Sequence, residues 1–220
     1  MSTTRLILIR HGESNTTVAR RIGGFRTCSG LSPLGRQQAE RLRDRWIRQP
    51  ECVPDVLMSS QFPRARETAE IIAPALASLP VVEDEDWGEH DPGPDCDGIS
   101  YDAFVEQFGG GWWEGDPFST SFPGGETIAA FQFRVGQALR RTVETYAGKT
   151  VVVVCHGGVV DAVLRFTLKA PGTGNFQIHT LNTSISEFEL VEPHLWRLLR
   201  LNDTAHLGGL AAATAPLAAN

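Results

Sequence analysis

Two uninterrupted apolar runs constrain this chain more than any other feature: Leu6-Ile7-Leu8-Ile9 near the start and Val151-Val152-Val153-Val154 towards the end. Neither is long enough for a helix, and neither shows the polar alternation of a strand with one wet face. A short apolar run bounded by polar turns fits a strand covered on both sides, as in a parallel sheet sandwiched between helices. Both runs stop at a histidine and a glycine, in Arg10-His11-Gly12-Glu13-Ser14 and in Cys155-His156-Gly157-Gly158. The first run is also too short for the core of a secretion signal or for a membrane span.

Around these runs strand and helix patterns alternate. Val56-Leu57-Met58 and Val81-Val82 read as further short strands. A helix is expected from Ser32-Pro33, where Ser caps and Pro suits the first position, with Leu34, Ala39, Leu42 and Trp46 on one face. Another runs from Pro63 through Ala69, Ile72 and Leu76, a small one starts near Ser100 and breaks at Gly109-Gly110-Gly111, and others span Glu126 to Tyr146 and Val159 to Leu168. Ser184 to Val191 and Leu195 to Leu201 alternate and pair as antiparallel strands. The fold class is therefore α/β, a three-layer α/β/α sandwich with a mostly parallel central sheet and an antiparallel edge. The Gly-, Pro- and Trp-rich stretch from Pro92 to Gly125 reads as a covering insertion or lid, and Gly208 to Asn220 as a flexible tail.

Charge narrows the partners. The 220 residues carry 20 Lys plus Arg against 26 Asp plus Glu, a net charge of −6. A binder of nucleic acid or of an anionic membrane normally has a basic excess, so neither partner is expected. The acidity is local: eight acids and no Lys or Arg lie between Glu83 and Asp97, which leaves 18 acids against 20 cations elsewhere. Eighteen of those cations are arginine, the side chain suited to bidentate phosphate or carboxylate contacts, although codon bias explains most of such a skew. Cys28, Cys52, Cys96 and Cys155 form no Cys-x-x-Cys pair, so a reduced, soluble cytoplasmic protein with free thiols is expected.

In open α/β sheets ligands bind beyond the carboxyl ends of the strands. Two parallel central strands would bring His11 and His156 to one rim, beside Arg10 and a helix start. Arginine, imidazole and a helix N-terminus each supply N–H donors or positive potential, and together they make an anion site. The segment Ser59-Ser60-Gln61-Phe62-Pro63-Arg64-Ala65-Arg66 adds Arg64 in the first turn of the next helix, while Arg66 points away towards an ion-pair role.

Arg10-His11-Gly12-Glu13-Ser14, Arg64-Ala65-x-x-Thr68-Ala69 and His156-Gly157-Gly158 are joined by Leu31-Ser32-Pro33-Leu34-Gly35, Pro123-Gly124-Gly125-Glu126-Thr127 and Asn182-Thr183-Ser184. In this order and spacing the set resembles the histidine phosphatase superfamily, whose best-known member is cofactor-dependent phosphoglycerate mutase. The resemblance covers most of the chain and implies a phosphoglycerate-mutase-like fold, with one domain over residues 1–207, residues 92–125 as its insertion and 208–220 as the tail. It implies His11 as the nucleophile of a phosphohistidine mechanism, with the other ring nitrogen donating to a backbone carbonyl in the Gly12 turn. Arg10, Arg64 and His156 would hold the non-bridging phosphate oxygens, with Gly157 at the helix start. They would supply the charge that a metal supplies elsewhere, so no metal and no other cofactor is expected.

The leaving oxygen needs a general acid. Family members place a glutamate four residues before a glycine that is followed by an acid-Gly pair. Glu89 to Gly93, followed by Asp97-Gly98, fits with one extra residue, whereas the rival Asp84 to Gly88 leaves no such pair at the proper distance. Like-charge repulsion from a bound phosphate favours a protonated carboxyl, which suits a donor. Most of the other acids of this stretch read as a solvated loop.

The departures carry information. Where many mutase-like members have Asn, six residues after the nucleophile, this chain has Thr17, a partial substitute as a phosphate donor. The arginines with which mutases grip a substrate carboxylate are missing, since Gly98 to Pro123 contains no Arg or Lys and instead has Trp112, Trp113 and Phe118. That favours a phosphomonoesterase acting on a small phosphorylated molecule with an apolar or ring-bearing part. A mutase-type phosphotransferase and a non-catalytic phospholigand-binding protein are the alternatives, and a homodimer is compatible with the sequence. A cysteine phosphatase would need an arginine six residues after Cys155, where Asp161 stands.

Overall fold

The computed structural model describes residues 3–108, 116–119, 122–172 and 178–210. In chain order its elements are β1 (Thr4–Arg10), α1 (Asn15–Val18), α2 (Pro33–Arg48), β2 (Val56–Ser59), α3 (Pro63–Ile72), β3 (Val81–Glu83), α4 (Gly93–Cys96) and α5 (Tyr101–Phe108). They continue with α6 (Ile128–Thr145), β4 (Thr150–Cys155), α7 (Gly157–Leu168), β5 (Ile185–Glu192) and β6 (Leu195–Asp203).

Both apolar runs are central strands of one sheet in the order β3-β2-β4-β1-β5-β6. β1, β4, β2 and β3 are parallel, while β5 runs antiparallel to β1 and β6 antiparallel to β5. The architecture is the α/β sandwich with a mostly parallel sheet and an antiparallel edge that the pattern implied. Leu6 and Leu8, with Val151, Val153 and Cys155, pack with residues of α6 and α7, whereas Ile7, Ile9, Val152 and Val154 pack with residues of α2 and α3. Every residue of the two runs is 0% exposed, so no position was free to be polar.

The chain leaves β1 towards α2 on one face and leaves the adjacent β4 towards α7 on the other. Connections that diverge from neighbouring strands open a crevice at the strands' carboxyl ends. The register sets what meets there: Arg10 lies opposite Cys155, and the His11 N–H donates to the Cys155 carbonyl at 2.9 Å. The Ser60 N–H reaches the Val154 carbonyl on the other side of β4 at 2.9 Å.

Local chemistry explains the element ends. Ser32 Oγ accepts from the Gly35 N–H, which caps α2, and Pro33 takes the first position. A Cβ on Gly12 would come within 2.4 Å of the Gly35 carbonyl oxygen, so the turn after β1 fits against the first turn of α2 only without side chains there. α3 ends at Ile72 instead of continuing to Leu76. Pro74 cannot donate to the helix ladder, and Ala73–Ala75 form a 3₁₀ turn. α6 starts at Ile128 with Thr127 as its cap, which leaves Glu126 outside the helix.

The expected insertion is partly a small core of its own. Cys96, Phe104 and Phe122 bury against Ile22, with Ile99 and Tyr101 alongside. Phe118 is not over the rim. It lines a groove with Phe133 and Arg140 of α6 and Phe166 of α7, and Phe166 lies nine residues along α7 from Gly157, roughly 14 Å at the helical rise. Trp112, Trp113, the glycine break at 109–111 and the tail from 211 fall outside the described residues. Of the acids read as a solvated loop, Asp84 caps the 3₁₀ turn Glu85–Trp87 and pairs with Arg141 at 2.8 Å, and Asp97 binds three groups of residues 24–27. The four cysteines are unpaired, and no described helix is long and apolar enough to cross a membrane.

An ion-pair network closes the antiparallel edge. Arg45 binds both oxygens of Asp203 at 3.1 and 2.7 Å, and Arg200 reaches Glu187 at 2.9 Å and also Glu51. The Arg45 hydrogen bond is the main cause that holds the Asp203 carboxyl well below its ordinary 3.8. A depressed carboxylate contributes stability above its unfolded value and loses it as pH falls towards the folded one. Asp203→Asn should therefore cost about 1 kcal/mol at pH 7, and this difference from the parent should shrink as unfolding is followed from pH 5 to pH 2. A difference independent of pH would contradict the assignment.

Candidate active site

At the crevice, His11 is buried with its Nδ1 2.6 Å from the Gly12 carbonyl oxygen. A carbonyl only accepts, so Nδ1 carries the proton and Nε2 keeps its lone pair. Arg64 Nε donates to that Nε2 at 3.1 Å, which the lone pair requires. Burial first, then the positive charges of Arg64 and Arg10, lower the His11 pKa well below 6.5 against the opposing Gly12 bond. The ring is therefore a neutral imidazole in one tautomer, with its basic nitrogen turned to the centre of the site.

His156 lies beside it, with ring centroids 5.0 Å apart. Its Nδ1 is 3.4 Å from the same Arg64 Nε, and its Nε2 is 2.8 Å from Ser60 Oγ. Burial and then Arg64 push its pKa well below 6.5 as well. Ser60, fully buried, also accepts from the Phe62 N–H at 3.2 Å. Because Nδ1 accepts from Arg64, Nε2 carries the proton and donates to the Ser60 oxygen, although the same hydroxyl could donate to Nε2 in the other neutral tautomer. Sequence reasoning passed over Ser60 because it was only one of two serines before the helix.

Arg64 enters from the first turn of α3, 4% exposed, with Nη1 on the Gly23 carbonyl at 3.1 Å and its guanidinium 4.5 Å from the Phe62 ring centre. Thr68 ties this turn to β1, since its hydroxyl donates to the Arg64 carbonyl at 2.8 Å and accepts from the Gly12 N–H at 3.1 Å. Arg66 points outwards, near Glu70 and Glu83. Arg10 donates to the Thr180 carbonyl, and its buried Nε has no hydrogen-bond partner among the described residues. Gly157 sits against Arg10: a Cβ there would lie 3.6 Å from Arg10 Nε. Thr17, in contrast, lies in α1 with its hydroxyl on the capping Ser14 Oγ at 2.8 Å, and among the described residues no hydrogen bond ties it to the other site residues.

The Glu89 carboxylate accepts from the Gly158 N–H in the first turn of α7 at 3.1 Å and from the His90 N–H at 3.0 Å. A Cβ on Gly158 would fall 2.3 Å from Glu89 Oε1, so that glycine admits the carboxylate to the helix start. Arg134 of α6 fixes the preceding loop. It donates to the carbonyls of Asp86, Gly88 and Glu89 at 2.9, 3.0 and 3.2 Å, and binds both oxygens of Glu126 at 3.0 and 2.8 Å. Asn182 Nδ2 donates to the His11 carbonyl at 3.0 Å. Among the described residues, no group of three or more His, Cys, Asp and Glu is arranged to hold a metal ion.

A model of the histidine phosphatase superfamily (branch 1) matches residues 6–204. The chain belongs to this superfamily. It is 30% identical over 205 residues to phosphoglycerate mutase-like protein 4 of Arabidopsis thaliana, covering 92% of this chain and 86% of that protein. It is 28% identical to a metal-independent phosphoserine phosphatase of the same plant, over 94% of this chain and 84% of that one. Among solved structures, a mutant phosphoserine phosphatase of Entamoeba histolytica in complex with phosphoserine superposes with a TM-score of 0.77 at 26% identity, covering 93% of this chain and 99% of that one.

The ring chemistry is directly testable. Both His11 and His156 should remain neutral at pH 6 in the ligand-free protein, with NMR titration midpoints well below 6.5 and the His11 proton on Nδ1. Midpoints at 6.5 or above would contradict this geometry.

Proposed function

We propose that this histidine phosphatase is a metal-independent phosphomonoesterase that turns over a small phosphorylated molecule through a phosphohistidine on His11. The observation that carries the reading is the lone pair on His11 Nε2, held neutral and aimed at the Arg64 guanidinium. A bound phosphoryl group would take up the Arg64 Nε–H that the two imidazoles share, together with the unpartnered Arg10 Nε–H and the α7 start at Gly157.

His11 Nε2 then attacks phosphorus as the bond to the ester oxygen breaks, and the Glu89 carboxyl proton passes to that oxygen, releasing the alcohol. Water next attacks the phosphohistidine, Glu89 takes up its proton, and inorganic phosphate leaves with His11 neutral again. In its Nδ1–H tautomer a neutral His156 donates to a phosphoryl oxygen while its Nε2, stripped of its proton, accepts a hydrogen bond from the Ser60 hydroxyl, so the tautomer change needs no net charge. Arg134 and Gly158 position Glu89 through its loop and the helix start. The name of the metal-independent relative and the arginine-built anion site both support hydrolysis without a metal.

Turnover of an aryl phosphate should persist in excess chelator. His11→Ala should lose at least about 10³-fold in kcat. Glu89→Gln should lose about 10²–10⁴-fold on an alkyl ester and far less on an ester with a good leaving group, which needs no proton. Full activity in His11→Ala, or abolition by chelator, would overturn the proposal. Conversion of 3-phosphoglycerate to its 2-isomer faster than its hydrolysis would replace it with a mutase.

A further inference from the structure

The rim beside the phosphate site carries an aromatic wall that the proposed chemistry does not use. Phe62 packs edge-on against His156, with ring centroids 4.9 Å apart and planes at 72°. Phe25 in turn packs edge-on against Phe62 at 5.5 Å and 81°. Phe62 is 4% exposed, but Phe25 is 50% exposed, so the row runs from the buried imidazoles to solvent and ends in an open aromatic face.

That face is held in place. The Gly24 N–H donates to Asp97 Oδ1 at 3.0 Å and the Arg26 N–H to Oδ2 at 2.9 Å, while the Thr27 hydroxyl binds Oδ1. One carboxylate thus grips the backbone on both sides of Phe25, and Arg64 holds the same segment through the Gly23 carbonyl at 3.1 Å. A rigid, partly exposed ring of this kind offers apolar contact with little ordering left to do on binding.

The cations that flank Phe25 in the chain are engaged elsewhere. Arg21 donates to the Gly98 carbonyl at 2.6 Å, Arg26 to the Pro94 carbonyl at 2.7 Å, and Arg20 pairs with Asp102 at 3.2 Å. The chain has no Lys or Arg at residues 109–115, 120–121 or 173–177 either. A substrate carboxylate would need such a partner, whereas a ring or an alkyl group would not.

We infer that Phe25, backed by Phe62 and held by Asp97, selects phosphomonoesters of uncharged, ring-bearing alcohols over those whose alcohol carries a carboxylate. The inference rests on the hydrolytic reading of the site and names the class of ester it takes.

Three esters of primary alcohols with similar leaving groups test it: 2-phenylethyl phosphate, ethyl phosphate and O-phosphoserine. The parent should show kcat/KM for 2-phenylethyl phosphate roughly tenfold above ethyl phosphate, with O-phosphoserine lowest. Phe25→Ala should bring the first ratio down to about twofold or less, and Phe25→Tyr should restore it. An unchanged ratio in Phe25→Ala, or O-phosphoserine as the best substrate of the parent, would overturn the inference while leaving hydrolysis intact. No turnover of any of the three, with an aryl phosphate also inert, would overturn the hydrolytic reading and this inference with it.

Discussion

One guanidinium organises this site. Arg64 is nearly buried, makes no ion pair among the described residues, and offers a single Nε–H to the lone pairs of two neutral imidazoles. Burying a cation without an anion costs on the order of several kcal/mol, and the Phe62 ring face, the Gly23 carbonyl and the two imidazoles offset only part of that. A phosphoryl dianion placed between Arg64 and Arg10 would remove the deficit. Burial, and after it the same positive field, keeps His11 from taking a proton, so the charges that attract the anion also help to keep the nucleophile ready for it.

Everything else in the fold positions this group. Parallel pairing of β1 with β4 brings His11 and His156 to one level, and the divergent paths to α2 and α7 leave the crevice open above them. Small residues allow the close approaches that follow. Gly12 and Gly35 let the turn after β1 meet α2, Thr68 ties that turn to α3, and Gly158 admits the Glu89 carboxylate to the start of α7. The short motifs are thus mostly places where backbone meets backbone or carboxylate, with few side chains that do chemistry.

The two central strands were legible because full burial on both faces leaves an unmistakable mark, a run with no polar residue at all. His11, Arg64 and His156 could be placed at one rim because they immediately follow strands or open the next helix. The grip of Arg134 on the Glu89 loop could not be read, since its partners there are carbonyl oxygens of residues 86–89 and any residue would supply those. Asp97 was hidden for the same reason, as two of its three partners are backbone amides. Phe118 looked like part of a cover because a Gly- and Pro-rich stretch has no period to tell which way an apolar side chain faces. It lies instead in the α6–α7 groove. Among the described residues, Phe25, a residue without a motif, presents an open aromatic face near the site, and only the fold shows that it stands beside Phe62.

The central claim is that the neutral Nε2 of His11 takes the phosphoryl group. The direct measurement is a rapid alkaline quench during turnover of an aryl phosphate, followed by mass spectrometry of peptides kept at high pH to preserve phosphohistidine. The account predicts one acid-labile, alkali-stable phosphate on His11 that forms as fast as the first turnover and is absent without substrate. Phosphate on another residue, or rapid turnover with no phosphoenzyme at any quench time, would contradict it.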